Sequence, residues 1–594
     1  MADLPLTLSS LRTAYAAGTS PREVVEQVYA RIEAVGDPHI FLCLFDKAEV
    51  LAAADALGPY DPTKPLWGVP FAIKDNIDAA GKPTTAACPA FAYTAETDAF
   101  VVARYREAGA LLIGKTNLDQ FATGLVGVRT PYGAPLNSID PEIVPGGSSG
   151  GSGVAVGHGI VSFALGTDTA GSGRVPAALN NIVGVKPTLG TLSASGLVPA
   201  CRTLDTISVF ALTVEDAFTA YAAASGYDAA DSYSRDIPAG DLVAPAPVRL
   251  GIPSPGSIQF FGDQQQEQAF YAALEIMKTF GCEIVEIDFS PFYAVAEMLY
   301  YGAWVAERYA AIEDMMTNRP DEVFPVTRQI IGAAEKLSAA DAFKGMYRLK
   351  DLIRQAEPLL EGIDALCVPT IPTFYTVADL QADPVTPNSN FGTYTNFVNL
   401  MDMCGIAVPA PARGDGRPGS LTFLAPAGQD AMVAGLATVI EAAGTRTLGA
   451  TGWARPETAL PTGGTPAGLI DIAVCGAHMD GLPLNHTLTD RGATLLAKSL
   501  TAPDYSFFAL PGEGVARPGL IRVGAGKGSS IALEIWRMPE TAFGSFMKTI
   551  PAPLGIGTIQ LDDGSTVQGF LCETAAAEGA TDISHLGDWR RYIN

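Results

Sequence analysis

The sequence predicts a large α/β domain, in which a largely parallel sheet is covered by helices, followed by a smaller α+β domain. Two observations lead to this fold class. Helical and strand patterns alternate through the first 440 residues, which is typical of a sheet flanked by helices. Residues 441–466 are then rich in Gly, Thr, Pro and Ala without apolar periodicity, as in a linker. We therefore predict domains at 1–440 and 467–594, joined by the linker 441–466.

The first elements follow from capping and hydrophobic patterns. A helix is predicted to start at residues 20–23. Ser20 is its N-cap, Pro21 lies in the first turn, and Glu23 follows three residues after the cap. The apolar run "GVPFAIKDN" predicts a buried strand that ends at Lys74. Residues 99–117, "AFVVARYREAGALLIGKTN", predict a helix, a glycine turn and a second strand.

The later elements continue the alternation. "PVRLGIPSP" (247–255) and "DALCVPTIP" (364–372) predict strands, and residues 267–289 predict a helix that ends at Gly281 before another strand. After the linker, "LIDIAVCGAHMDGLPLN", "LIRVGAGKGSSIALEIWRM" and "STVQGFLCE" predict strands separated by glycine turns. The second domain is therefore rich in short strands.

Composition and charge exclude several classes of protein. The 594 residues carry 38 Lys and Arg against 63 Asp and Glu, a net charge of −25, which argues against binding to nucleic acid or to anionic membranes. The eight cysteines form no CxxC pair, so the sequence predicts neither a zinc site nor a disulfide framework. The N-terminus lacks the pattern of a secretory signal, and we expect a cytoplasmic protein without a metal or organic cofactor.

Two clusters of small residues stand out, "PGGSSGGSG" (145–153) and "GTDTAGSGR" (166–174). They match neither the GxxxxGK[ST] nor the GxGxxG phosphate-binding pattern. The apolar run "VAVGHGIVSFALG" joins them, which also argues against flexible linkers. We interpret the glycines as positions of close backbone approach.

The second cluster fits a nucleophilic serine. Ser172 follows three small residues, so consecutive backbone N–H groups can face one oxyanion. The usual histidine base is not evident, because His39 and His158 lie in no catalytic pattern and GxSxG is absent around the serine. Lys74 is the alternative, since burial at a strand end would lower its pKa and provide a neutral amine.

"GVPFAIKDN", "PGGSSGGSG" and "GTDTAGSGRVPAALNNIVGVKPT" together resemble the amidase signature family, in order and in the 24-residue separation of Ser148 and Ser172. The resemblance covers residues 1–440 and implies a mixed central sheet. It assigns Ser172 as nucleophile, Ser148 as a bridging serine after a cis peptide bond, and Lys74 as base. It places the oxyanion hole at the amides of Thr169, Ala170, Gly171 and Ser172.

Two charged residues of the second cluster have interpretations of their own. We interpret Asp168 as an organiser of the loop rather than a catalytic group. Arg174 is expected to pair with a carboxylate near the site rather than to contact the substrate.

Two further segments resemble the allophanate hydrolase family: "DQFATGLVGVRTPYGAPLN" (119–137) and "EMLYYGAWVAERYAAI" (297–312). This resemblance places Tyr300 and Arg308 at the substrate carboxylate, a contact to which the guanidinium group is suited. On an ideal helix Tyr301 shares a face with Arg308 better than Tyr300 does, so Tyr301 remains the alternative. The backbone of Gly124 is expected to line the same pocket.

The segment "VCGAHMDGLPLNHTL" (474–488) resembles the start of the C-terminal domain of the same family, which is similar to γ-glutamyl cyclotransferases. The resemblance implies that this domain decarboxylates the reaction intermediate, with His486 as the candidate residue. A purely structural role for His486 is an equal alternative, and His478 is a weaker candidate.

The implied function is hydrolysis of allophanate (urea-1-carboxylate) to ammonia and carbon dioxide in urea catabolism. The alternatives are an amidase for another small carboxamide, a glutamine amidohydrolase of the kind that works with tRNA-dependent amidotransferases, and a non-catalytic scaffold. The sequence contains no biotin-carboxylase segment, so a separate urea carboxylase is the expected functional partner. The resemblance also implies a homodimer.

Overall fold

The computed structural model of the chain describes residues 4–242, 247–444, 447–456, 465, 469–512 and 514–593. It divides into two units, Met1–Gly464 and Thr465–Asn594. Residues 447–456, within the predicted linker, belong to the first unit, where Leu448 and Trp453 are buried in its core. The helix before them ends at Ala443, so the predicted linker begins inside a helix.

The first unit is built on an 11-stranded sheet with a separate two-stranded ribbon, β3 and β4. Its strands are β1 (Phe41–Leu44), β2 (Pro70–Lys74), β3 (Pro83–Thr84), β4 (Tyr93–Thr94), β5 (Leu111–Thr116), β6 (Phe163–Asp168), β7 (Val183–Lys186), β8 (Thr206–Ala211), β9 (Arg249–Pro253), β10 (Glu283–Ile287), β11 (Ala365–Pro369), β12 (Met403–Ala410) and β13 (Gly419–Pro426). The order in the sheet is β1-β5-β2-β6-β8-β7-β12-β13-β11-β9-β10.

Helices surround this sheet, and their ends follow the predicted capping signals. Ser20 and Glu23 form a reciprocal capping box at the start of α2, and Gly281 ends α8 in the left-handed region with φ 108°. The helices are α1 (Leu8–Ala16), α2 (Pro21–Val35), α3 (Lys47–Ala56), α4 (Phe100–Glu107), α5 (Gly150–Gly157), α6 (Val175–Leu179), α7 (Val214–Ala224), α8 (Gln264–Phe280), α9 (Ser290–Tyr301), α10 (Trp304–Ala311), α11 (Glu313–Asn318), α12 (Pro325–Gly332), α13 (Ala339–Leu360), α14 (Val377–Ala382), α15 (Thr386–Phe391), α16 (Phe397–Leu400) and α17 (Asp430–Ala443).

The prediction of a largely parallel sheet is wrong, whereas the mixed sheet implied by the amidase resemblance is confirmed. Four strand pairings are parallel and six are antiparallel. The alternation of helix and strand patterns does not show in which direction a strand runs. β8, for example, follows β7 after a long loop rather than a helix, and it pairs antiparallel to β7. β12 and β13 also pair antiparallel, and a short loop joins them.

Three neighbouring parallel strands position the functional residues. β5, β2 and β6 run in the same direction at adjacent places in the sheet. Their carboxyl ends therefore meet at one edge, where open α/β sheets form binding sites. β2 ends at Lys74, β6 ends at Asp168, and the chain after β5 continues into the loop that contains Asp119. The edge thus collects residues that lie far apart in the sequence.

The second unit contains two sheets, a five-stranded one in the order β15-β18-β14-β20-β19 and a three-stranded one in the order β17-β16-β21. Its elements are β14 (Leu469–Val474), α18 (His486–Thr489), β15 (Thr494–Leu500), β16 (Tyr505–Ala509), β17 (Pro518–Arg522), β18 (Ala532–Pro539), α19 (Glu540–Met547), β19 (Leu554–Gln560), β20 (Thr566–Cys572), β21 (Thr581–Asp582) and α20 (Trp589–Ile593). This α+β unit has its own apolar core, and its likeness to γ-glutamyl cyclotransferases stays a prediction.

Within the described ranges, none of the helices combines the length and the apolar character needed to span a bilayer.

Candidate active site

Lys74 lies at the end of β2 and is fully buried. Its Nζ donates hydrogen bonds to Ser148 Oγ and to Thr167 Oγ1, both at 2.7 Å. Burial lowers the pKa of Lys74 to about 7, although the charges of nearby aspartates partly oppose this shift. A substantial fraction of this amine is therefore neutral near pH 7 and able to accept a proton.

Ser148 lies in the glycine-rich segment that precedes α5. The Gly147–Ser148 peptide bond is cis, as the resemblance implies. The Ser148 carbonyl accepts a hydrogen bond from the Asp119 N–H at 2.9 Å, which ties this segment to the loop after β5. A Cβ on Gly147 would lie 2.0 Å from Asp119 Oδ2, so glycine is required for this approach.

Ser172 lies in the turn between β6 and α6 and is 2% exposed. Its Oγ donates to the Gly124 carbonyl at 3.4 Å. The backbone N–H groups of Thr169, Ala170 and Ser172 have no hydrogen-bond partner within the described part of the chain. The small residues of the second cluster thus leave a row of amides free beside the serine hydroxyl.

Gly171 departs from the predicted oxyanion hole. Its N–H donates to Asp168 Oδ1 at 2.9 Å, and this bond uses the donor inside the loop. We therefore revise the candidate oxyanion hole to the other three amides. The Gly171 N–H instead holds the shape of the turn that presents Ser172.

Asp168 and Arg174 form the buried centre of this turn. The Asp168 carboxylate accepts the N–H groups of Gly171 and Gly173 and pairs with Arg174 through Nε and Nη2, each at 2.9 Å. Burial acts to raise the pKa of Asp168, but the ion pair and the amide donors outweigh it, and the pKa lies below its usual value. Both interpretations are confirmed: Asp168 organises the loop, and Arg174 pairs with a carboxylate.

Arg308 lies in α10 and is 1% exposed. Its guanidinium carbon lies 5.1 Å from the centre of the Tyr300 ring, and Nη1 donates to Thr123 Oγ1 at 3.3 Å. Nε and Nη2 are buried without a partner in the described structure. Since Thr123 precedes Gly124, Nη1 of Arg308 is bonded to the residue next to the one that Ser172 contacts.

The helix that would carry both Tyr301 and Arg308 on one face does not exist. α9 ends at Tyr301, Gly302 adopts an extended conformation (φ −128°, ψ −159°), and α10 starts at Trp304. The spacing of residues on an ideal helix therefore does not predict which tyrosine lies near Arg308 across this break. The ring of Tyr300 is the one that lies against Arg308. The Tyr301 side chain lies outside the described structure.

Sequence reasoning missed several polar residues of the site. Thr167 lies within "GTDTAGSGR" and bonds Lys74, but nothing in the motif distinguishes it from Thr169. Asp119 accepts three backbone N–H groups of its own loop, from residues 126, 127 and 129. Asp205 accepts the Thr169 hydroxyl, and burial raises the pKa of its carboxyl to about 6. Such loop contacts depend on the fold and leave no local pattern.

The second unit contains a separate cavity of about 170 Å³, lined by His478 but not by His486. The His478 ring stacks on Phe570 at 5.0 Å, and burial, with a contribution from His486, lowers its pKa to about 4. His486 is exposed at the start of α18, where Nδ1 lies 3.0 Å from the Pro483 carbonyl. Of the two histidines, the structure therefore places His478, the weaker sequence candidate, at a cavity.

The residues described here include no group of three or more His, Cys, Asp or Glu side chains arranged to hold a metal ion.

Two family models match the chain: Amidase at residues 23–434 and Allophanate hydrolase C-terminal domain at residues 470–594. A urea amidolyase of Lachancea kluyveri is 44% identical over 544 residues, which cover 89% of this chain and 30% of that protein. The chain thus spans under a third of this relative's length. A glutamyl-tRNA(Gln) amidotransferase subunit of Corynebacterium glutamicum is 35% identical over 69% of this chain and 90% of its own length.

A solved structure of Kluyveromyces lactis allophanate hydrolase superposes with a TM-score of 0.82 at 40% identity, covering all of this chain and 99% of that one. The match therefore includes both units described above. The chain belongs to the amidase family and carries an allophanate hydrolase C-terminal domain after its amidase domain.

Proposed function

We propose that this protein hydrolyses allophanate to ammonia and carbon dioxide. The observation that carries the proposal is Arg308. Its buried guanidinium is bonded to Thr123, the residue before the Gly124 that Ser172 contacts, and two of its nitrogens have no partner in the described structure. A buried cation without a counter-ion is costly, and a carboxylate on the substrate satisfies it. The K. lactis allophanate hydrolase, similar over nearly its whole length, supports the same substrate.

The reaction begins with proton transfer away from Ser172. Neutral Lys74 accepts the proton of Ser148, and Ser148 accepts that of Ser172 as its Oγ attacks the terminal carboxamide carbon. The amides of Thr169, Ala170 and Ser172 stabilise the oxyanion. The proton held by Lys74 returns through Ser148 to the leaving nitrogen, and ammonia departs as the C–N bond breaks.

Water then attacks the acyl group as it gives a proton through Ser148 to Lys74, and this proton returns through Ser148 to Ser172 Oγ as the bond between the acyl carbon and Oγ breaks. The serine is released, and the product is an amine that carries two carboxylates. Loss of carbon dioxide from this product gives carbamate, which decomposes to ammonia and a second carbon dioxide. Arg308 and Tyr300 hold the substrate carboxylate throughout, with Gly124 lining the pocket.

Release of ammonia from three amides tests this proposal: allophanate, malonamate and the neutral propanamide. We expect activity on the two carboxylated amides, little on propanamide, and none in Ser172→Ala. Arg308→Met should remove the preference for a carboxylate, whereas Arg308→Lys should retain part of it. Equal activity of the native protein on propanamide and malonamate would contradict the proposal.

An amidase for another small carboxamide is the second candidate function. The 35% identity to a glutamyl-tRNA(Gln) amidotransferase subunit over 90% of its length favours it. Glutamine distinguishes the two functions, because its amide is separated from its charged groups by a longer chain. Hydrolysis of glutamine without hydrolysis of allophanate would establish this second function.

The finer parts of the proposal concern the C-terminal domain and the partners. His478 or His486 assists decarboxylation, and His478 is favoured because it lines a cavity. His478→Ala should then slow carbon dioxide release relative to the first ammonia release, with His486→Ala as the comparison. If neither variant changes that ratio, decarboxylation is spontaneous.

A functional link to urea carboxylase is proposed from the similarity to urea amidolyases. A homodimer is proposed from the family resemblance, and a cytoplasmic location stays a prediction of the sequence analysis. Light scattering on the purified protein tests the dimer, and ammonia release from urea on addition of a urea carboxylase tests the link.

A further inference from the structure

A second buried arginine, Arg129, lies beside Arg308. Arg129 is 2% exposed and belongs to the loop after β5. Its Nη1 donates to the Thr123 carbonyl at 3.2 Å, and its Nη2 donates to the Pro384 carbonyl at 2.8 Å. Its Nε is buried and has no partner in the described structure.

The two arginines meet at one residue. Arg308 binds the hydroxyl of Thr123, and Arg129 binds the carbonyl of the same threonine. The next residue, Gly124, accepts the hydrogen bond of Ser172 Oγ. Both guanidinium groups are therefore anchored within one residue of the nucleophile's contact.

This pair of cations has no directly bonded carboxylate among the described residues, although the charge of Asp119 acts on Arg129 and the charges of Asp205 and Glu307 act on Arg308. Neither arginine forms a salt bridge with a carboxylate in the part of the chain that is described, in contrast to the buried Arg174, which pairs with Asp168. Burial lowers the pKa of Arg129; the charges of Asp119 and Tyr300 partly oppose this shift, and the charge of Arg308 adds to it. Two neighbouring buried charges of the same sign are unfavourable unless an anion joins them.

We propose that Arg129 is a second carboxylate-binding residue of the substrate pocket, acting together with Arg308. The inference rests on the proposed function and extends it. A carboxylate has two oxygens and about four acceptor positions, enough for the free donors of both guanidinium groups. The pocket then selects amides with a carboxylate close to the scissile carbonyl and disfavours neutral amides of similar size.

The alternative is that Arg129 only fastens its loop, through the two carbonyls that it binds. One anchor of this loop survives any substitution, because the backbone N–H of residue 129 donates to Asp119 Oδ1 at 2.8 Å. A loop defect would weaken hydrolysis of every amide. Loss of a carboxylate contact would weaken hydrolysis of carboxylated amides alone.

The test compares kcat/KM for malonamate and propanamide in Arg129→Met, Arg129→Lys and Arg413→Gln. Arg413 is the control because it is also a buried arginine, 6% exposed, and it forms ion pairs with Asp263 and Asp415. We expect Arg129→Met to lower kcat/KM for malonamate about 10- to 100-fold and that for propanamide less than threefold. Arg129→Lys should retain part of the selectivity, and Arg413→Gln should leave the ratio unchanged.

The inference would be overturned if Arg129→Met left the ratio of kcat/KM for malonamate to kcat/KM for propanamide unchanged, whether both values fell equally or neither fell. If Arg129→Met does not fold, the charge-retaining Arg129→Lys decides, because the lost fork geometry should still reduce the malonamate preference. Failure of the proposed function has a different outcome, since the native protein itself would then show no preference for malonamate. If only Arg308→Met reduces the preference, the proposed function stands and the inference on Arg129 fails.

Discussion

The rate of amide hydrolysis should depend on pH through the protonation of Lys74. Burial lowers the pKa of this amine from 10.5 to about 7. At pH 8 an amine of pKa 10.5 is about 0.3% neutral, whereas an amine of pKa 7 is about 90% neutral. Because only the neutral amine accepts a proton from Ser148, kcat/KM should rise about tenfold per pH unit below pH 7 and level off above about pH 8.

The assay is ammonia release from malonamate between pH 5.5 and pH 9, at substrate concentrations well below KM. A carboxyl group is ionised over this range, so the substrate does not change its charge. Thr167→Val removes an acceptor that stabilises the ammonium form of Lys74, so the midpoint should move to lower pH. Thr167→Ser keeps the hydroxyl and is the matched control.

A second group near the site titrates in the same range. Burial raises the pKa of Asp205 to about 6, and this carboxyl accepts the hydroxyl of Thr169. A second inflection near pH 6 that disappears in Asp205→Asn belongs to this aspartate rather than to Lys74. A flat profile, or a kcat/KM that still rises about tenfold per pH unit at pH 9, would refute the reasoning, because Lys74 would then not act as a base with a pKa near 7.

Three further predictions concern packing and stability. Gly124→Ala should lower kcat/KM for malonamate at least about tenfold, since the added Cβ would lie 2.5 Å from a buried carboxylate oxygen. Gly256→Ala, where a Cβ meets nothing within 4 Å, should leave it unchanged. Arg174→Met should lower the free energy of unfolding in urea by about 3–5 kcal/mol, because Asp168 stays buried without its ion pair; a loss below about 1 kcal/mol would contradict this. Burial raises the pKa of Asp216 to about 8, so the folded state binds more protons than the unfolded state between about pH 4 and pH 8. The free energy of unfolding should therefore fall as pH rises through this range, and Asp216→Asn should remove most of that slope.

The sequence predicted Lys74 and Ser172 from local patterns with a physical requirement, and the amidase resemblance added Ser148 as the bridging serine. An apolar run ends at Lys74, and glycines surround the serines where the backbone approaches other atoms closely. The strand that delivers Lys74 is confirmed, and its burial explains the low pKa of the amine. These features are local in the chain, so a single sequence contains them.

The predictions that failed depended on features of the folded chain that the local sequence pattern does not encode. Strand direction in the sheet depends on the path of each loop, which alternation of patterns does not encode. The relation of Tyr301 to Arg308 assumed a continuous helix, and Gly302 interrupts it. Gly171 was placed in the oxyanion hole, but its N–H is used by Asp168, three residues earlier in the same turn.

In the proposed mechanism, the loop after β5 links the substrate-binding arginines to Ser172. Asp119 holds it as one piece, since its carboxylate accepts three backbone N–H groups of the loop and its own N–H donates to the Ser148 carbonyl. The same loop binds both cations through Thr123 and the nucleophile through Gly124. In the proposed mechanism, the carboxylate-binding arginines and Ser172 therefore contact adjacent residues of this loop. This adjacency supports a substrate whose carboxylate lies near its amide carbonyl, as in allophanate and malonamate, where one atom separates the two groups.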